Sequence, residues 1–192
     1  SAMVFVGREG DLAVQEAIGY LGEGLVLEAT RLGLTTCWVG GFFKSSVANA
    51  AVGIQAGERA YAVTPVGHAA EHIPQSERLI YGAGRTKPRK SLDEIAPGHE
   101  GWPAWAQEGV RAAQVAPSAM HRQPWRFRMD DGELVVGYEG ADTPKVSKRL
   151  DCGIAMMHVE LAARAEGVFG AWDVGLADRD VARFVPDTHD AE

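Results

Sequence analysis

The chain has 192 residues, 46% hydrophobic and 23% charged, enough for one ordinary domain or two small ones sharing a core without covalent staples. Its net charge of -7 argues against a nucleic-acid surface, and no apolar run approaches the roughly 20 residues that span a bilayer. Two cysteines, Cys37 and Cys152, are too few for a disulfide framework; each sits in an apolar run, as a free core thiol does, which points to a reducing, cytoplasmic compartment.

In chain order, Ser1-Ala2-Met3 reads as an expression scar and residues 4–7 (VFVG) as a short strand. Residues 11–32 predict a helix. Leu21, Leu25, Ala29 and Leu32 recur at steps of four, four and three on what should be its core stripe, with Gly33 as C-cap. TTCWVGG, residues 35–41, predicts a buried strand running into a tight loop closed by Gly40 and Gly41. Ser45 is placed to cap a short helix over 46–52, and residues 59–66 alternate as a strand with Pro65 near its end. Residues 68–101 carry Pro74, Pro88, Pro97 and many charges, which predicts a connecting arm rather than a packed element. Pro103 marks the first turn of a helix that Pro117 ends. Trp125, Phe127 and Met129 alternate with Arg126, Arg128 and Asp130; Asp131-Gly132 and ELVVGY then complete a β-hairpin signal. Residues 150–166 predict a further helix, with Asp151 as its cap and His158 as a satisfied core histidine.

Two segments repeat. At a constant offset of 134, Gly19 meets Gly153, Leu27 meets Leu161, Ala29 meets Ala163, Gly33 meets Gly167 and Trp38 meets Trp172. A helix ending in glycine, then a strand reaching tryptophan, occurs twice. This predicts an internal duplication packed about a pseudo-twofold axis, as in a fused homodimer. Residues 1–95 would form the first repeat with its connecting arm, and residues 96–192 the second.

Three segments resemble the FMN-dependent nitroreductase family, most of all its two-repeat branch. APSAMHRQPWRF (116–127) resembles an Ala-Pro-Ser-x-x-Asn-x-Gln-Pro-Trp segment. GEGLVLEATRLGLTTCWVGGF resembles the family's long core helix with its Gly-Gly-Phe loop, and KPRKSLDEI its basic segment. The resemblance implies an α+β fold: a mixed, mostly antiparallel sheet flanked by helices, in two internally duplicated halves. It implies an oxidoreductase in which FMN, reduced by NADH or NADPH, passes electrons to a nitroaromatic, quinone or similar small-molecule acceptor. The flavin carries the chemistry, so no side chain is assigned as catalytic, and no metal, nucleic acid or membrane is expected. The alternative is a flavin-free pseudoenzyme or interaction domain that keeps the fold.

The same resemblance implies the site. The backbone at Gly40 and Gly41 would approach flavin N5, where only side-chain-free residues fit; the rival reading is a turn that needs positive φ. Lys87 and Arg89, two apart around Pro88, would converge on the phosphate, with Arg85 a weaker candidate; the rival is a solvated linker. Pro117 would fix the cofactor loop, with Ser118 and His121 presenting polar groups. His121 stands where the family has asparagine, so its imidazole would either stabilise reduced flavin as a cation or block the ring. Gln123, Pro124 and Trp125 read as structural. His68 and His72 have helical metal spacing but no third ligand. No Arg-x-Ser-x-Arg segment precedes Val4, and nothing before the first long helix matches Pro117–Tyr138. The expectation is that the natural protein either carries several dozen earlier residues or has lost them. One chain would supply both walls of one site, as a monomeric pseudo-dimer or within a homodimer.

Overall fold

A computed structural model describes residues 1–69, 88–143 and 145–187. Lys87, Arg85, Pro74 and His72 lie outside the described residues.

The first half is β1 (Ala2–Arg8), α1 (Leu12–Arg31), β2 (Thr35–Thr36), α2 (Ser45–Val52) and β3 (Glu58–Gly67). The connecting arm ends in α3 (Leu92–Ile95), and the second half holds α4 (Ala104–Val115), β4 (Trp125–Asp130), β5 (Glu133–Tyr138), α5 (Lys148–Ala165), β6 (Gly170–Val174) and β7 (Asp180–Pro186). Two antiparallel sheets form, ordered β1-β3-β2 and β4-β5-β7-β6. The orders β1-β3-β2 and β5-β7-β6 are one plan used twice: a strand, a long helix, a short strand, then a strand that inserts between the two. In each half the strand before the long helix carries a register shift, at Phe5/Val6 and at Val136/Gly137.

The helix ends repeat down to single hydrogen bonds. Gly33 and Gly167 adopt φ of 74° and 79°. The N–H groups of Leu34 and Val168 each donate 2.9 Å to the carbonyls of Ala29 and Ala163, closing a Schellman turn after each helix. The β4–β5 turn is equally local: Asp131 and Gly132 both take positive φ, as a type I′ hairpin requires.

The two long helices cross at the paired glycines, and the contact is reciprocal. A Cβ on Gly19 would lie 2.1 Å from the Leu150 carbonyl oxygen, and one on Gly153 would lie 2.1 Å from that of Glu16. Backbone therefore touches backbone. Around that point α1 buries charge: Glu16 pairs with Arg149, and Glu23 Oε1 lies 2.9 Å from His158 Nε2. Arg149 continues to the carbonyls of Leu176, Asp178 and Asp180 at 2.8–3.1 Å, tying the crossing to the β6–β7 connection. Burial raises the Glu16 carboxyl pKa in spite of Arg149 and the Gly175 N–H.

Several expectations are corrected. Leu21, Leu25 and Leu32 face solvent, because the core face of α1 is taken by Glu16, Gly19, Gly22 and Glu23. At the crossing small size matters more than apolarity. The stretch after α1 is not a continuous buried strand: Thr35 and Thr36 pair with β3, Cys37 is exposed, and pairing resumes only at Val39, which bridges to Val63. Cys152 is buried, as expected. Lys44, not Ser45, precedes α2, and no side chain caps that helix. The part of the arm from Ser91 onward is packed: Ser91 and Glu94 form a capping box, and Ile95 and Ala96 are fully buried beneath α3. Ser147 rather than Asp151 caps α5. Ala2 and Met3 belong to β1, opposite Pro65 and Thr64.

The crossing yields a paired test on one helix. Gly19→Ala forces the helix backbones apart and should cost about 3 kcal/mol or more, the upper end of overpacking penalties. Gly24→Ala would meet only the end of the Met157 side chain, 3.0 Å away, so the helical preference for alanine should leave it neutral or up to about 1 kcal/mol more stable. Urea unfolding midpoints of the two variants check this.

Candidate functional site

A cleft of about 390 Å³ opens where the halves meet. One wall runs from Thr36 to Gly40 after α1. The other is the Pro117–Met120 loop, and Leu150, Asp151 and Ile154 of α5 form the floor. The crossing sets both walls. On the first side, Trp38 Nε1 donates to Glu23 at 2.8 Å, its ring stacks on Phe5 with centroids 4.9 Å apart, and Val39 bridges to Val63. These contacts fix the chain that enters Gly40. Neither Gly40 nor Gly41 has positive φ, so turn geometry does not explain the pair. A Cβ on Gly40 would instead come within 3.0 Å of Val146, on the cleft wall.

The opposite loop is held in a conformation that its residues would not adopt alone. Met120, His121 and Gln123 take φ of 52°, 52° and 44°. Each costs on the order of 1–3 kcal/mol and persists only when its surroundings fix it. Those surroundings are specific. Asp151 accepts from the Ala119 N–H at 3.0 Å and from Arg122 Nε at 2.5 Å. Arg122 also donates to Thr143 Oγ1 and to the Val146 carbonyl. The Gln123 N–H donates to Ser118 Oγ, and the buried Gln123 side chain bonds the backbone at Lys90 and Pro88. Pro124 and Trp125 are buried behind it.

The structure thus brings Gly40, Pro117 and Ser118 to one cleft. Gly41 stands beside it and lines an adjoining pocket. His121 and Arg89 do not line the cleft. Arg89 Nη1 donates to the carbonyls of Gln114 and Ala116 at 2.8 and 2.7 Å, closing the end of α4 just before the loop. Burial, and then the Arg89 charge, lower the His121 pKa, which biases the imidazole towards its neutral form. Asp151 is the residue that sequence reasoning missed. Read as a cap, it is in fact the buried anchor of the loop, and nothing local in the sequence distinguishes the two roles.

The family model described as "Putative TM nitroreductase" matches residues 3–163. The chain belongs to this nitroreductase family. A solved putative nitroreductase from Thermotoga maritima aligns with a TM-score of 0.65 and 20% identity over 96% of this chain and 74% of that one, a likeness of fold. No curated protein matches the chain.

The repeat exposes an asymmetry in this member of the family. A second cleft of about 370 Å³ is lined by Ala17, Tyr20, Glu160, Gly170, Trp172 and Val174, among others. At the offset of 134 these stand for Asp151, Ile154, Val26, Thr36, Trp38 and Gly40 of the first cleft. The open glycine has become valine and the loop-anchoring aspartate has become alanine. The Trp172 indole N–H has also lost its acceptor, since Met157 stands where Trp38 has Glu23. Of the two related clefts, only the first keeps a side-chain-free approach and an anchored loop.

Asp151 makes the site sensitive to pH. Burial outweighs Arg122 and the Ala119 N–H and pushes its carboxyl up from 3.8 to about 6. The folded chain therefore binds this proton more tightly than the unfolded one. Its contribution is most favourable below 3.8, falls as pH rises through about 6, and is level above that. The span is roughly 3 kcal/mol at about 1.4 kcal/mol per unit. Asp151→Asn should remove this component, which is read as the wild-type minus variant difference in urea midpoint between about pH 4 and about pH 7.

Proposed function

We propose that the chain is an FMN-dependent oxidoreductase that takes electrons from NADH or NADPH and reduces nitroaromatic, quinone or similar acceptors. The observation that carries this reading is the meeting of Gly40 and the Ser118 loop in one cleft, walled by both halves of a nitroreductase-family chain. The residues fit the group. The cradle at Gly40 is one that a side chain would fill, the lining is largely apolar, and Ser118 offers a hydroxyl hydrogen while its oxygen accepts from Gln123.

When bound, the isoalloxazine would supply the hydride and electron chemistry at N5. The chain's own residues bind and orient. Backbone at Gly40 would meet the ring edge without a side chain between them. Leu150 and Ile154 would exclude water from one face, and Pro117–Met120 would close over the other. Asp151 and Arg122 keep that loop in place. The exposed Met120 on the lining gives the cleft an apolar edge suited to a flat acceptor. One chain supplies both walls, so assembly of the site does not require a second copy. Lys87 and Arg89 remain the proposed phosphate partners from the resemblance, which for Arg89 would mean using nitrogens other than Nη1.

A flavin-free role has one observation in its favour: Arg89 Nη1 is spent on backbone carbonyls rather than on the cleft. A titration with FMN, read by quenching of flavin fluorescence, separates the two. The oxidoreductase reading expects one FMN per chain and FMN-dependent oxidation of NADH or NADPH in the presence of a quinone. Gly40→Val, which copies the residue of the second cleft, should weaken FMN at least about tenfold, or ~1.4 kcal/mol, read beside its urea midpoint because the new side chain also crowds Val146. A wild-type chain that takes up no FMN would reject the reading.

A further inference from the structure

A pocket of about 370 Å³ adjoins the cleft and shares Gly40 with it. Two cations face it, Arg59 from β3 and Lys145 from the segment before α5. Arg59 is held but not satisfied. Its guanidinium carbon lies 4.2 Å over the Tyr61 ring, and that ring is fixed by the Tyr61 hydroxyl donating 2.9 Å to the Arg8 carbonyl. Arg59 Nε is buried and finds no hydrogen-bond partner among the described residues. Among the described residues its one acidic neighbour is Glu9, 3.9 Å from Nη1 and itself 65% exposed. Lys145 is exposed and has no acidic partner among the described residues. Ser45, the first residue of α2, also lines the pocket, and no side chain caps that helix. Its positive end and first N–H groups therefore border the same space. A stacked guanidinium whose one ion pair is to an exposed carboxylate, an exposed ammonium, a hydroxyl and an uncapped helix start together give the pocket a donor-rich lining.

We propose that this pocket is an anion subsite that takes a phosphate group of a ligand whose ring lies in the adjoining cleft. Arg59 supplies a planar fork for two phosphate oxygens, Lys145 a point charge, and the start of α2 its N–H groups. The link to a ring ligand rests on the flavin reading above; the anion site itself does not. Two sources share the chemistry: the phosphates of a nicotinamide dinucleotide, if Lys87 and Arg89 hold the FMN phosphate, or the FMN phosphate itself, if this pocket takes it in place of Lys87 and Arg89.

Inorganic pyrophosphate is the probe, titrated into the full chain and followed by the amide resonances of Ser45 and Ser46. Saturable shifts are expected, with affinity at least tenfold weaker in Arg59→Gln and in Lys145→Gln and retained in Lys44→Gln. Absence of binding, or equal binding by both pocket variants, overturns the proposal. Using two variants guards against loss of fold in either one. The source follows from the same proteins. Weaker FMN with unchanged riboflavin assigns the phosphate to the flavin. Unchanged flavins with a raised KM for NADPH or NADH assign it to the reductant. If none of these moves, the link to the ring ligand is overturned. Pyrophosphate binding that depends on Arg59 in a chain that takes up no flavin keeps the anion subsite and removes the flavin reading.

Discussion

The contact on which the rest depends is the crossing of α1 and α5 at Gly19 and Gly153. Each glycine lies against the backbone of the opposite helix, and no other residue permits that approach. Closeness brings burial, and burial dictates which polar groups can be present. Glu16 and Glu23 would be costly in a core without partners. They are tolerated because Arg149, the Gly175 N–H, His158 and Trp38 satisfy them. Those partners then extend the order outward. Trp38 fixes the entry to Gly40, and Arg149 gathers the β6–β7 connection. The floor of the cleft is the start of the same helix, so its two walls are two ends of one packing event.

Duplication of a build does not oblige both copies to do the same work. The two clefts share their helices and their tryptophan, and differ at the other five of the six positions compared. Valine for glycine closes the approach, and alanine for aspartate leaves no anchor for a loop. The second half also has α4 and β4, which cover one face of α5 and pair with the edge of β5, while the matching face of α1 shows Leu21 and Leu25 to solvent. The left-handed residues Met120, His121 and Gln123 lie in and just after the loop that walls the first cleft.

Much of this was legible in the sequence where the physics is local. Gly33 and Gly167 announce helix ends, Asp131-Gly132 announces a hairpin, and the offset of 134 announces the twofold plan. The APSAMHRQPWRF stretch is explained by its neighbours: a loop of left-handed residues needs prolines, an intraloop serine and a buried glutamine to hold it. What was not legible depends on who packs against whom. A leucine stripe reads as core unless one knows that the opposing helix sits over glycine. An aspartate in a first turn reads as a cap unless one knows that a loop arrives from 32 residues away. Thr35 to Val39 read as a strand, yet its pairing with β3 is broken between Thr36 and Val39, and Cys37 is left in solvent. β7 was passed over, although Val181, Ala182 and Phe184 are all buried on it.

The most direct test of the account is diffraction from crystals of this chain soaked in FMN. The account places the ring between Gly40 and the Ser118–Met120 loop, over Leu150 and Ile154, with a single flavin per chain. A ring bound beside Trp172 in the second cleft, or an accessible first cleft that stays empty at saturating FMN, would contradict it.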